Sequence, residues 1–129
     1  MMPNFKQVEL FTNGAGRAEF REIELPMSLG SELARLTEVL PATGLQFRYS
    51  SLGFKFEFHC SPKPQWVFIL SGTMQISLQD GTARVFDRGS HFLSADTLPD
   101  GQTFDPQVHG HSSRQLGDEP LVTLFVKVA

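Results

Sequence analysis

The chain holds a single cysteine, Cys60, among its 129 residues. One cysteine excludes an intrachain disulfide and any zinc site built from several thiolates. Lys and Arg total 11 against 14 Asp and Glu, with no basic run, so the electrostatic footprint of a nucleic-acid or polybasic membrane protein is missing. No apolar stretch approaches the roughly 18 residues of a spanning helix. Residues 1–10 carry no basic segment followed by an apolar one, which reads as a cytoplasmic protein without a secretory leader. There is no Gly-x-Ser-x-Gly elbow, and no Walker or dinucleotide glycine pattern, so a serine hydrolase or nucleotide-binding reading has no support.

What is present is short-range alternation. Hydrophobic residues make up 40% of the chain, including 12 Phe, enough for one core in one domain spanning 1–129. Residues 6–11 and 17–24 flank Asn13-Gly14-Ala15-Gly16, which is turn chemistry between two strands. Residues 31–40 are expected to form a short helix. Ser31 caps it, Leu33, Leu36 and Leu40 share a face, and Pro41 stops it. Residues 45–49 read as a strand. In 53–61, Phe54, Phe56, Phe58 and Cys60 alternate with Lys55, Glu57, His59 and Ser61, which sends the two sets to opposite faces. Residues 66–70 form a continuous apolar run, and Met74, Ile76 and Leu78 alternate with polar residues up to the hairpin signal Asp80-Gly81. Strands at 82–86, 91–95 and 122–128 follow. Many short strands and one helix candidate predict a closed all-β fold.

Glycine and histidine spacing narrows the architecture. Gly53-x5-His59-x-Ser61-x3-Gln65-x6-Gly72 is followed by Gly81-x5-Asp87-x-Gly89 and a late Gly110-His111. This layout resembles the two motifs of the cupin family, Gly-x5-His-x-His-x3-4-Glu-x6-Gly and Gly-x5-Pro-x-Gly-x2-His-x3-Asn. Ser61 stands in place of the second histidine, Gln65 of the glutamate and Asp87 of the proline. His59-Cys60-Ser61-Pro62, Gln65, Asp96-Thr97, Gly110-His111 and Gly117-Asp118-Glu119-Pro120 are similar to a group of small single-domain RmlC-like cupins whose first motif already lacks the second histidine. The resemblance covers 47–129 and leaves 1–46 as N-terminal strands and the short helix. It implies a double-stranded β-helix, the cupin jelly-roll barrel.

The resemblance also implies a site. His59, Gln65 and His111 fall at the position where cupins hold a divalent metal (Fe, Mn, Ni or Zn), with Ser61 replacing a ligand. An amide is an uncharged donor, so a carboxylate is expected to complete the set. Glu57 lies on the same face about 7 Å along the strand, and Asp96 is the second choice. Lys55, on that face too, can pair with Glu57 or meet a ligand. His109, two residues before His111, is a further ligand candidate if the chain is extended there. Two functions stay open: a metal-dependent enzyme on a small organic molecule, or a metal-free module binding a sugar or organic acid. Neither reading names a catalytic residue. The aromatic set opposite His59 (Phe54, Phe56, Phe58, Trp66, Phe68) is expected to pack on the N-terminal strands and to form a homodimer interface, since cupins are commonly dimers. The loop 98–108, with Asp100, Phe104 and Asp105, is either a lid or a surface insertion.

Overall fold

The computed structural model describes residues 4–129; Met1, Met2 and Pro3, part of the segment read for a leader, lie outside the described residues. The strands are β1 (Asn4–Thr12), β2 (Ala18–Pro26), β3 (Leu29–Ser31), β4 (Ala34–Leu36), β5 (Ala42–Ser50), β6 (Lys55–His59), β7 (Gln65–Ser71), β8 (Thr73–Ser77), β9 (Ala83–Phe86), β10 (His91–Ala95), β11 (His111–Leu116) and β12 (Leu121–Val128). No helix of the described residues is long and apolar enough to cross a membrane.

Strands β5 to β12 are dealt between two sheets in jelly-roll order. One sheet runs β10-β7-β12-β5 and the other β6-β11-β8-β9. This is the double-stranded β-helix that the glycine spacing implies. The first sheet grows to six strands because β1 pairs parallel with β10 and β2 pairs antiparallel with β1. Period-two alternation fills the space between the sheets: Val67 and Ile69 from β7, Met74 and Ile76 from β8, Phe92 from β10, and Leu121 and Phe125 from β12 are buried, with Leu10 and Phe86.

The helix expected over 31–40 is not formed. Residues 29–36 make a two-stranded hairpin, β3 with β4, and 37–41 are irregular. Gly30 has φ +86°, and a side chain there would meet the Ala34 carbonyl oxygen at 2.0 Å, so the tight hairpin depends on this glycine. A ten-residue helix is also marginal without a surface to bury its leucine stripe. Leu33, Leu36 and Leu40 all remain exposed in this chain.

Strand β5 has the opposite orientation to an ordinary core strand. Its register on β12 sets Arg48 opposite Thr123 and Ser50 opposite Leu121, whose side chains point into the barrel. Arg48 and Ser50 therefore face inward, while Leu45, Phe47 and Tyr49 face out and are exposed.

Gly72 joins β7 to β8 with φ +80°, and a Cβ there would lie 2.5 Å from the Pro120 carbonyl oxygen. Gly72→Ala must adopt a left-handed conformation and displace backbone. We expect a loss of at least about 1–3 kcal/mol in urea unfolding, with no loss for Gly44→Ala, where nothing lies within 4 Å.

Candidate functional site

The motif residues converge inside the barrel. His59 ends β6, His111 begins β11, and the two are paired across the sheet with ring centroids 4.6 Å apart. Gly110 permits this approach: with φ +87°, its missing Cβ would sit 2.5 Å from the His59 carbonyl oxygen. Ser61 and Gln65 line the same cavity, with Arg48, Ser94 and Phe125. The cavity measures about 80 Å³, the share of two or three waters at about 30 Å³ each.

Hydrogen bonds fix how the histidines present themselves. His59 Nδ1 lies 2.7 Å from the Glu57 carbonyl oxygen. A carbonyl only accepts, so Nδ1 carries the proton and Nε2 keeps a lone pair. His111 Nδ1 is 2.8 Å from Asp96 Oδ2, both side chains being buried. That carboxylate is fully buried and its other oxygen lies 2.8 Å from the Thr12 hydroxyl. Asp96 thus sits behind His111, orienting it. The pKa of His59 is lowered, first by burial; the Glu57 hydrogen bond and Asp96 oppose this, and the Arg48 charge adds to the lowering, as His111 does whenever it is protonated.

The cavity is cationic. The Arg48 guanidinium lies between two rings, 4.7 Å from the Phe54 centroid and 4.9 Å from that of Phe125. Burial lowers its pKa from the usual value, and a guanidinium keeps its proton regardless. It makes no ion pair among the described residues. Its Nε is buried without a hydrogen-bond partner, as are Ser50 Oγ beside it on β5 and Thr123 Oγ1 opposite it. Outside the cavity lining, Lys127 Nζ donates to Gln65 Oε1 and lies 5.6 Å from the Phe125 centroid.

Lys55 and Glu57 are not part of this cavity. The register of β6 on β11 shifts between His111↔His59 and Ser113↔Phe56, so β6 carries one extra residue there. Such a bulge breaks the face alternation. Phe56 comes to the His59 side, with ring centroids 4.0 Å apart. Lys55 and Glu57 pair with each other at 3.3 Å on the exposed side. The aromatic set expected opposite His59 is divided between the two sheets: the bulge moves Phe56, while Trp66 and Phe68 on β7 sit beside the N-terminal strands as expected. Phe54 packs on the half-buried Arg48, while Trp66 and Phe68 lie on the outside of the larger sheet.

His109 serves the loop rather than the cavity. Its Nδ1 accepts from the Asp105 amide at 2.9 Å, so Nε2 carries the proton and donates to Gln102 Oε1 at 2.8 Å. Gln79 holds the loop further by donating to the Pro106 and His109 carbonyl oxygens. No residue of 98–108 lines the cavity. Burial, with the Asp96 charge, pushes the Cys60 thiol up to about 11, so it is no nucleophile at neutral pH. A larger, mostly apolar groove of about 420 Å³ lies outside the barrel, between β3–β4 and the six-stranded sheet. It contains none of the motif residues.

Two imidazole lone pairs could face a metal, but the remaining donors do not fit a divalent ion. Gln65 is engaged by an ammonium, Arg48 adds a second positive charge, and Asp96 is committed to His111 and Thr12. No group of three or more His, Cys, Asp or Glu among the described residues could hold a metal ion.

Strand order and cavity together define a small double-stranded β-helix barrel with a polar interior site. The sequence matches no family model and no curated protein. Among solved structures it is similar to the cupin domain of Cnp3 from Schizosaccharomyces pombe, at 13% identity over 99% of this chain and 84% of that one, with a TM-score of 0.49. The fold assignment rests on the strand order given above.

Burial lowers the pKa of both His59 and His91 below 6.5. The unfolded chain therefore takes up these protons first. Their contribution to stability is intact above pH 6.5 and is lost as pH falls toward the folded values. Urea unfolding between about pH 7.5 and 5.5 should show stability decreasing with acidification. His59→Gln and His91→Gln should each flatten that slope.

Proposed function

We propose that the barrel is a metal-free binding module for a short organic acid, its carboxylate inside the barrel against Arg48. The observation that carries the reading is the half-buried guanidinium, its Nε fully enclosed, without an acidic partner among the described residues. A buried charge is costly until an opposite charge meets it, and a planar guanidinium suits a carboxylate through paired N–H donors. Ser50 and Thr123, buried beside it on β5 and β12, carry hydroxyls without a partner but do not line the cavity, so Arg48 is the group that meets the ligand. Lys127, which donates to the cavity residue Gln65, adds positive potential nearby.

The histidines refine the ligand class. Their Nε2 lone pairs accept hydrogen bonds, so they suit a ligand hydroxyl, and about 80 Å³ leaves room for few atoms. A short hydroxy acid supplies both groups. The two lone pairs are also the one feature favouring a metal-dependent enzyme, and metal analysis separates the readings.

Glycolate is a suitable probe, with ethylene glycol as its uncharged control. Glycolate should raise the melting temperature and bind by calorimetry, while ethylene glycol does neither. Arg48→Gln should weaken glycolate at least about tenfold, the worth of a charged hydrogen bond. Equal binding by Arg48→Gln, or no binding of any short acid, would contradict the reading. Near-stoichiometric metal in the parent, lost in His59→Ala and His111→Ala, would favour the enzyme instead.

A further inference from the structure

The amide of Gln65 is held from outside the cavity. Strands β7 and β12 pair antiparallel with Gln65 opposite Lys127. Residues opposite each other on neighbouring strands share a face. Here it is the inward one. Val67 and Ile69 follow Gln65 at alternate positions, Thr123 and Phe125 precede Lys127 in the same way, and all four are buried. Register therefore brings the ammonium to the amide, and Lys127 Nζ donates to Gln65 Oε1. An ammonium carries donors only, so the amide oxygen must face it and the NH2 must face away. Gln65 Nε2 makes no hydrogen bond to any described residue and is not enclosed. Gln65 lines the cavity and Lys127 does not. The free NH2 is thus the end of the side chain that a ligand in the cavity meets.

The cavity then offers two opposite kinds of partner. His59 and His111 present Nε2 lone pairs, which accept. Gln65 presents N–H groups, which donate. A hydroxyl satisfies both, because it has one hydrogen to give and lone pairs to receive with. A ketone or ether lacks the hydrogen, and an ammonium lacks the lone pair.

We propose that Gln65 is a specificity-determining donor and Lys127 its positioning residue. Gln65 Nε2–H binds the oxygen of a ligand hydroxyl whose own hydrogen goes to a histidine Nε2. The proposal rests on the carboxylate being held at Arg48. It adds the selection of a 2-hydroxy acid over the same acid without its hydroxyl.

Calorimetry with glycolate and acetate tests this through the ratio of the two affinities. Acetate keeps the carboxylate and lacks the hydroxyl, so a lost charge weakens both acids and leaves the ratio unchanged. The parent should prefer glycolate. Gln65→Met keeps the length of the side chain and removes its donor. It should lower the preference about fivefold, the worth of one neutral hydrogen bond, while acetate binds as before. Lys127→Met frees the amide to turn and should also lower the preference. Lys127→Arg, which again offers only donors to Oε1, should restore it. Circular dichroism checks that each variant folds. An undiminished preference in Gln65→Met or Lys127→Met, or no recovery in Lys127→Arg, overturns the proposal. So does a parent that binds the two acids equally. If glycolate is still lost in Arg48→Gln, the carboxylate reading survives these outcomes. A parent that binds neither acid overturns both.

Discussion

The register of β5 on β12 sets Arg48 opposite Thr123, and much of the molecule follows from that pairing. Side chains alternate along a strand, so fixing one fixes the row. Arg48 and Ser50 enter the barrel, and Leu45, Phe47 and Tyr49 must then face out. A slip of one residue would reverse both rows, placing the apolar set in the core and the guanidinium in water. By the hydrophobic effect alone, that alternative is better for the isolated chain. The observed register brings a half-buried charge to the barrel interior, a desolvation cost against which two ring contacts return about 0.5–2 kcal/mol each. An anion inside would offset the remainder.

The histidine pair depends on a different local constraint, the bare backbone of Gly110 against His59. It brings β11 close enough for the two rings to meet, and the bulge in β6 turns Phe56 to cover them. Asp96 then orients His111 from behind. Orientation of this kind serves a hydrogen-bond acceptor as well as a metal ligand. The neighbouring charges decide between them: Arg48 lines the cavity, Lys127 engages Gln65, and the nearest carboxylate is already committed.

Glycine spacing made the barrel legible, because Gly72 and Gly110 occupy backbone positions where another residue would collide with a neighbouring strand. Those fixed points also carried His59, Ser61, Gln65 and His111 to one cavity. Face alternation failed where β6 is bulged, since nothing in Lys55 to His59 announces an extra residue, and so Lys55 and Glu57 were read onto the wrong side. The leucine spacing in 31–40 had helical period, but the segment has no sheet of its own to bury both its sides against. Arg48 carried no motif. Its signal was an arginine alternating with Leu45, Phe47 and Tyr49, ordinarily the mark of a solvent-facing row. Only the pairing with β12 reveals the row as internal.

The most direct measurement is the Nε–H resonance of Arg48, followed by ¹⁵N NMR while glycolate is added. A carboxylate against the guanidinium should move that resonance downfield along a saturable curve, with slowed exchange of its proton against water. An Arg48 signal that stays in place while glycolate saturates elsewhere on the protein would contradict the account.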